Sequence, residues 1–176
     1  YYYAKNSNVI VKYLEKGTGE VVAKQEEILG YEGKIYSTEQ KQIPDYTFVE
    51  STENVAGTMG RDTIEVIYYY AKNTKVIVRY LEKDDTEENI EDNKVLAQPD
   101  IIEGYEGKEY ETTSKEIPDY TFIECIGNSK GTMTEDTIEI IYYYSQDSMV
   151  INKYLEKDNT PENTEDNTVL AEQVII

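Results

Sequence analysis

Apolar and polar positions alternate along residues 8–16, whose sequence is NVIVKYLEK. Val9, Val11 and Tyr13 fall on one side of this stretch, and the residues between them fall on the other. Successive side chains of a β-strand point to opposite faces, and β-branched residues are enriched in strands. The pattern therefore predicts a β-strand.

The same pattern returns because the chain repeats itself. Residues 62–83 hold two apolar, tyrosine-rich runs, and this passage recurs whole at 136–157 and truncated at 1–16. The triple tyrosine at 68–70 lies 74 positions before the one at 142–144 (142 − 68 = 74) and 67 after the one that opens the chain (68 − 1 = 67). Self-similarity on this scale indicates an array of small units.

The repeat divides the chain into two full units and two fragments. We predict the end of a preceding repeat at 1–7, unit 1 at 8–71, unit 2 at 72–145, and the N-terminal part of a third, truncated repeat at 146–176. A length of 176 residues by itself allows one or two domains, so the repeat decides in favour of small modules.

The first strand of each unit leads into a predicted β-hairpin. In unit 1 the connection is G-T-G-E at 17–20, where glycine can supply a positive φ. In unit 2 it grows to the acidic stretch 84–94, and a similar stretch stands at 158–168. The growth of seven residues (11 − 4 = 7) accounts for the two repeat spacings. A length change between intact flanks marks a surface loop.

Turn signals punctuate the middle of each unit. The paired glycines of G-Y-E-G-K at 30–34 and 104–108 predict a turn with special dihedral angles. The stretch 35–41 is consistent with a short helix or an irregular crossover. The hexapeptide I-P-D-Y-T-F at 43–48 and 117–122 predicts a turn that leads into a strand, and G-T-M then introduces the final strand. Each unit is expected to have four or five strands.

The first and last strands of each unit are its most apolar, with apolar residues on both faces. Strands that are buried on both faces lie centrally in a sheet, so we predict that these two are parallel neighbours joined by a crossover. Units stacked through a linker at 71–74 would form a rod. A hairpin at 71–74 is the alternative, but its Lys-Asn pair lacks the glycine of tight hairpins, which favours end-to-end stacking.

Composition narrows the list of partners. The net charge is −19, and such acidity repels nucleic acid phosphates and anionic membrane surfaces, so we expect neither as a partner. The sequence has no apolar run of about 18 residues, which argues against membrane insertion. Cys125 is the sole cysteine, and since it aligns with Ser51 of unit 1 we expect it to be an incidental strand residue.

The sequence offers little catalytic chemistry. Without histidine, and with one unmatched cysteine, it has no Ser-His-Asp or Cys-His arrangement and no cysteine–histidine zinc site. The glycines lack the spacing of a phosphate-binding loop. The acidic residues that the units share fall at predicted turn and surface positions: Glu32, Asp45, Glu50, Asp62 and Glu65. We therefore predict no enzyme activity, no cofactor and no catalytic or metal-binding residue.

Two features still invite a binding hypothesis. The acidic loops 84–94 and 158–168 offer oxygen ligands of the kind that Ca²⁺ takes, but they do not match the EF-hand pattern, and a solvated loop is the favoured interpretation. Most of the four tyrosines at 13, 36, 46 and 68 are expected to be structural and to pack in the core. Tyr69 and Tyr143, the middle residues of the triple tyrosines, should point away from their neighbours and present rings to solvent or to the adjoining unit.

Unit 2 carries, in order, V-I-V-R-Y-L-E-K, V-L-A, G-Y-E-G-K-E-Y, I-P-D-Y-T-F, G-T-M-T-E-D and I-E-I-I-Y-Y-Y. This order resembles the MucBP (mucin-binding protein) repeat of Gram-positive bacterial surface proteins, and the resemblance covers nearly the whole chain. Its most specific part is I-P-D-Y followed by G-T-M and the tyrosine-rich closing strand. The family more commonly has I-P-G-Y, from which Asp45 and Asp119 depart.

The resemblance implies small β-grasp (ubiquitin-like) modules. Together with the strand pattern, this predicts a mainly β fold, α+β at most, of modules arranged end to end as an elongated rod, which we expect to be monomeric. The resemblance also implies an extracellular, cell-wall-anchored adhesin that binds host mucins or glycoproteins. It identifies no ligand-binding residue in this sequence. The alternative is a passive stalk without a ligand of its own. A third hypothesis is association between copies through exposed sheet edges.

Overall fold

β-Strands are the only regular secondary structure among the described residues, which are 3–83, 93–148, 151–152 and 174–175 of a computed structural model. The mainly β prediction is therefore confirmed. In chain order the strands are β1 (Asn6–Glu15), β2 (Val21–Tyr31), β3 (Ile35–Ser37), β4 (Tyr46–Ser51), β5 (Ala56–Thr58), β6 (Ile64–Glu82), β7 (Val95–Tyr105), β8 (Glu109–Glu111), β9 (Tyr120–Ile126), β10 (Lys130–Thr132), β11 (Ile138–Gln146), β12 (Ile151–Asn152) and β13 (Val174–Ile175).

Unit 1 is organised around a parallel pair of strands. The first half of β6 runs parallel to β1, in register from Val9↔Ile64 to Glu15↔Tyr70. β2 flanks β1 and β4 flanks β6, both antiparallel, so the strand order is β2-β1-β6-β4. The predicted hairpin and the predicted parallel neighbours are both confirmed.

Unit 2 repeats this arrangement. The second half of β6 runs parallel to β11, in register from Val76↔Ile138 to Glu82↔Tyr144. β7 flanks β6 and β9 flanks β11, again antiparallel. A separate two-stranded ribbon completes each unit, β3 with β5 in unit 1 and β8 with β10 in unit 2.

β6 belongs to both units. It is one unbroken strand of 19 residues, which at about 3.3 Å per residue is roughly 60 Å long. Residues 71–74 lie inside it, so the predicted linker is wrong, while end-to-end stacking is confirmed over a hairpin. The strand stays extended because each side of it finds a new partner. Residues 71 and 72 pair with Thr47 and Tyr46 of β4, respectively. Residues 73 and 74 pair with Tyr105 and Gly104 of β7, respectively.

Two local predictions need correction. The stretch 35–41, for which a short helix was one option, begins with β3 and then runs irregularly. Each unit draws on six strands, counting half of β6, instead of the four or five expected. The ribbon strands were missed because three residues are too few to show a period of two.

One face of each sheet forms the core. Its buried residues in unit 1 are Val9, Val11, Tyr13, Tyr36, Met59, Val66, Tyr68 and Tyr70. Those in unit 2 are Val76, Val78, Tyr80, Tyr110, Met133, Ile140, Tyr142 and Tyr144. The expectation that the central strands are buried on both faces is wrong for unit 1, where Leu14, Ile67 and Tyr69 are only half-buried. Unit 2 does bury a second, smaller cluster, made of Leu81, Ile141 and Tyr143.

Tyrosine holds the core together and ties the crossover to it. The rings of Tyr13 and Tyr68 stack with centroids 5.8 Å apart. The Tyr70 hydroxyl accepts from the backbone N–H of Lys41 at 2.8 Å and donates to the carbonyl of the same residue at 2.9 Å. A buried tyrosine needs such a partner for its hydroxyl, and here the partner is the otherwise irregular segment before β4.

Positive φ angles mark the turns that the sequence predicted. Gly33 and Gly107 have φ of 92° and 89°. Asp45 and Asp119 have φ of 64° and 66°, and each follows a proline in a turn that the next tyrosine closes by donating its N–H to the isoleucine carbonyl. Proline followed by a positive φ is the type II turn, whose third position favours glycine. This explains physically why I-P-G-Y would be the commoner form.

Candidate functional site

A groove lies where unit 1 meets unit 2. Its volume is about 590 Å³, and its lining is polar apart from one half-buried tyrosine ring. The lining residues are Thr47, Asn73, Thr74, Lys75, Glu103, Gly104, Tyr105, Lys108, Glu135 and Thr137. Both units contribute to it, since Thr47 comes from β4 and most of the others from unit 2.

Hydrogen bonds to β6 fix the floor of the groove. The backbone N–H of Asn73 donates to the Asp45 carbonyl at 2.7 Å, and its side-chain Oδ1 accepts from the Thr47 hydroxyl at 2.6 Å. At the next residue, the Thr74 hydroxyl donates to the Asp136 carbonyl at 3.0 Å. Residues of unit 1 and of unit 2 are therefore bonded to adjacent positions of one strand, which gives the groove a defined geometry.

Opposite charges sit along the rim. Lys72 forms an ion pair with Glu135. This contact raises the pKa of the Lys72 ammonium and lowers the pKa of the Glu135 carboxyl. Because both groups are solvent-exposed, the pair contributes little to stability. The Lys108 ammonium donates to the Glu103 carbonyl at 3.2 Å.

Tyr105 is held at the end of β7 by the turn that the paired glycines predicted. Lys108 donates its N–H to the Tyr105 carbonyl at 3.0 Å, and Gly107 donates to the Met133 carbonyl at 2.9 Å. The ring stands beside the hydroxyls, carboxylates and ammonium groups of the groove. A tyrosine combines an apolar ring face with a polar edge, so this site can bind a ligand that is itself partly apolar and partly hydroxylated.

The same junction contacts return one repeat later. Asp147 lies 74 residues after Asn73, accepts from the Thr121 hydroxyl at 2.6 Å, and donates its N–H to the Asp119 carbonyl at 2.8 Å. Sequence reasoning missed this site because it treated 71–74 as a linker. The signal that was available is the Asn or Asp that stands three residues after each triple tyrosine, at 6, 73 and 147.

The shared acidic residues lie where the sequence placed them. Glu32, Glu50 and Glu65 are at the surface in ion pairs with Arg61, Lys16 and Lys12.

The acidic loops 84–94 and 158–168, for which calcium binding was the less favoured alternative, fall outside the described residues, apart from Asn93 and Lys94. Within the described ranges, no three acidic or cysteine side chains cluster in a way that could hold a metal ion.

The middle tyrosines do point away from the core, as predicted, but with different outcomes. Tyr69 is half-buried on the second face of unit 1. Tyr143 is only 9% exposed and packs with Leu81 and Ile141 of its own unit, so it does not display its ring to solvent.

Across the residues that are described, no helix has the length and apolar character needed to span a bilayer.

Comparison with known proteins places the chain among bacterial repeat proteins. It is 32% identical over 146 residues to Internalin J of Listeria monocytogenes serotype 4b, covering 81% of this chain and 15% of the relative. It is 31% identical over 164 residues to Internalin J of Listeria monocytogenes serovar 1/2a, covering 88% of this chain and 18% of the relative. The chain thus spans less than a fifth of the length of these relatives.

Two solved structures also align with it. The crystal structure of Mub-RV matches with a TM-score of 0.30 and 14% identity, covering 80% of this chain and 99% of that one. The Streptococcal High Identity Repeats in Tandem (SHIRT) domains 3–4 from a cell surface protein match with a TM-score of 0.30 and 9% identity. This match covers 80% of this chain and 98% of that one.

The sequence profile of the MucBP domain matches this chain twice, at residues 8–71 and 75–145. These two matches span most of the chain and coincide with the two halves of the seven-stranded sheet that share β6. The chain therefore belongs to the MucBP domain family, the repeats of Gram-positive bacterial surface proteins that its sequence resembles.

Proposed function

We propose that this chain is part of the repeat region of an extracellular, cell-wall-anchored adhesin, and that it binds the glycans of host mucins or glycoproteins in the junction groove. The observation that carries the proposal is the position of Tyr105 in a polar groove between two MucBP units. Residues 1–7 and 146–176 are then parts of further repeats, so that grooves recur along the array.

The chemistry of the groove suits a sugar. A pyranose presents hydroxyl groups at its edge and C–H groups on its face, which match the Thr47 and Thr137 hydroxyls and the Tyr105 ring. Lysines at 75 and 108 and glutamates at 103 and 135 supply both signs of charge, so the site has no strong preference for a charged ligand. None of these groups forms a nucleophile and base pair, which is why we propose binding without catalysis.

Binding of the 176-residue chain to mucin-coated plates and to a glycan array tests the proposal. Tyr105→Ala should abolish most of the binding because it removes the only aromatic ring among the described residues that line the groove. Tyr31→Ala is the matched control, since Tyr31 holds the same position in unit 1, is 53% exposed, and has no counterpart of Thr47 beside it in the described chain. Equal losses in the two variants, or undiminished binding by Tyr105→Ala, would remove the groove from the proposal.

A passive stalk is the second candidate, and the continuous strand β6 favours it. A strand shared by two units fixes their relative direction without a flexible linker, which suits a spacer. No binding to any mucin or glycan at high protein concentration would leave the stalk as the function of these repeats. In either case we propose a monomer, which light scattering at two concentrations can check.

A further inference from the structure

The connection of each unit to its neighbours runs through its two central strands. The chain enters unit 1 at the start of β1 and leaves it through β6, and these strands are parallel neighbours with paired residues from Val9↔Ile64 to Glu15↔Tyr70. It enters unit 2 through the same β6 and leaves through β11, paired from Val76↔Ile138 to Glu82↔Tyr144. A force transmitted along the array must therefore pass, in each unit, through the row of hydrogen bonds between two parallel strands, which we call a parallel ladder.

The direction of the strands decides how such a ladder responds to tension. When the array is pulled at its ends, β1 is drawn toward its N-terminal end and β6 toward its C-terminal end. Because the two strands are parallel and adjacent, these forces oppose each other along the strand axis. All the inter-strand hydrogen bonds then carry the load together, whereas a ladder that is pulled open from one end loses its bonds singly. Breaking many bonds over one short displacement requires a larger force than breaking the same bonds in sequence.

Side chains on both faces reinforce the two ladders in the same way. On the core face the stacked rings of Tyr13 and Tyr68 bridge β1 and β6, and those of Tyr80 and Tyr142 bridge β6 and β11, each with centroids 5.8 Å apart. On the second face an ion pair crosses each ladder diagonally: Lys12 with Glu65 and Arg79 with Glu139. The core side chains next to the ladder hydrogen bonds are excluded from water, as Val9 and Val66 are both 0% exposed.

Further hydrogen bonds extend the ladders at both ends. At the C-terminal end of the paired segments, the backbone N–H of Lys16 donates to the Tyr70 carbonyl at 2.7 Å. In unit 2, the backbone N–H of Lys83 donates to the Tyr144 carbonyl at 2.8 Å. At the N-terminal end of the β1–β6 ladder, the Thr63 hydroxyl donates to the Asn8 side-chain Oδ1 at 2.6 Å.

We propose that each unit is a mechanical clamp, and that these repeats bear tension along the array through two shear-loaded ladders that share β6. This function needs no ligand, so it stands or falls separately from glycan binding. It applies to an adhesin under flow and to a bare stalk alike.

Single-molecule pulling on one folded protein in two directions tests the clamp. In a Cys125→Ser background, attachment at Lys5→Cys and Lys75→Cys loads the β1–β6 ladder in shear. Attachment at Lys5→Cys and Asp62→Cys pulls both strands apart from the same end, because these two residues lie just before the paired segments. The first attachment point is common to both variants, and all three positions are exposed, so the fold should be retained.

The unfolding force should be severalfold higher for the 5/75 pair than for the 5/62 pair, with matching thermal melts. Forced unfolding reports the rate of crossing the barrier, so equal equilibrium stabilities would leave direction as the only difference. Equal forces, or a higher force for the 5/62 pair, would overturn the proposal. Pulling the chain by its ends should give two separate unfolding events of similar force, and smooth extension without such events would also overturn it.

Discussion

Unit 1 and unit 2 are alike on the core face of the sheet and differ on the second face. On the core face, the strand registers, the stacked tyrosines and the buried methionines recur at equivalent positions in the two units. On the second face, Leu14, Ile67 and Tyr69 of unit 1 are half-buried. Their counterparts in unit 2, Leu81, Ile141 and Tyr143, are 2%, 3% and 9% exposed.

The difference goes together with the length of the hairpin connection. Unit 1 closes β1 to β2 with the four residues 17–20, whereas unit 2 has the eleven residues 84–94. Asn93, near the end of that longer connection, is itself buried and donates from its amide to the Tyr143 hydroxyl at 3.3 Å. The comparison teaches that the repeated pattern fixes the core, while the second face differs between the units where Asn93, in the described part of the longer connection, contacts Tyr143.

The largest effect should come from truncating the middle tyrosines. Tyr143→Ala empties a buried site and should cost unit 2 about 3 kcal/mol, whereas Tyr69→Ala, at a half-buried site, should cost unit 1 about half as much. Hydrogen exchange followed by mass spectrometry reads the two units separately, through peptides from β1 and β11. Equal losses of protection in the two units would mean that their second faces do not differ in packing.

Adding a methyl group at the shared glycine should affect both units alike. A Cβ at Gly30 would overlap the sulfur of Met59, and one at Gly104 would overlap the sulfur of Met133. Since both methionines are buried, Gly→Ala at either position should cost about 2 kcal/mol by overpacking. Gly60→Ala is the control because its Cβ would meet nothing within 4 Å. A loss in only one unit would show that the cores are less alike than their contacts indicate.

Relieving the turn strain should stabilise each unit by a smaller amount. Asp45→Gly and Asp119→Gly should each add about 0.5–1 kcal/mol, because glycine adopts a positive φ without steric cost. Thermal melting monitored by circular dichroism would register the increase. Asp45→Ala provides the contrast, since alanine at the same φ should lower the melting temperature.

Acidification should have the smallest effect, and should differ slightly between units. Lys41 holds the pKa of Glu26 below its ordinary value, and Lys115 does the same for Asp100. A carboxyl whose pKa is lowered by folding contributes stability above its unfolded pKa and loses it as the pH falls through its folded pKa. The ordinary pKa is about 4.3 for Glu and about 3.9 for Asp, so unit 1 should begin to lose this contribution at a higher pH.

Urea unfolding at pH 6 and pH 3 checks this expectation. Lys41→Met and Lys115→Met should each reduce the difference in stability between the two pH values, modestly because the ion pairs are exposed. An unchanged difference in both variants would show that other carboxyls dominate the acid response.

Local pattern was sufficient for much of the fold and for little of the site. The alternation of Val9, Val11 and Tyr13 predicted β1 and its buried face, and the I-P-D-Y motif predicted a turn at Asp45. The parallel pairing of β1 with β6 also followed, because the two most apolar strands of a unit bury most surface when they are central. The groove could not be predicted from the sequence, because Thr47 and Tyr105 are 58 residues apart (105 − 47 = 58). They come to line one groove only because β4 and β7 both pair with β6.

The sequence by itself determined that this protein is an array of mainly β units with tyrosine-filled cores, since side-chain period, turn chemistry and repeat spacing are all local properties. Only the tertiary structure decided that residues 71–74 continue a strand. Their backbone groups are satisfied by β4 on one side and β7 on the other, and both partners are distant in sequence. A backbone stays extended where its hydrogen bonds are met, and that condition depends on the assembled sheet.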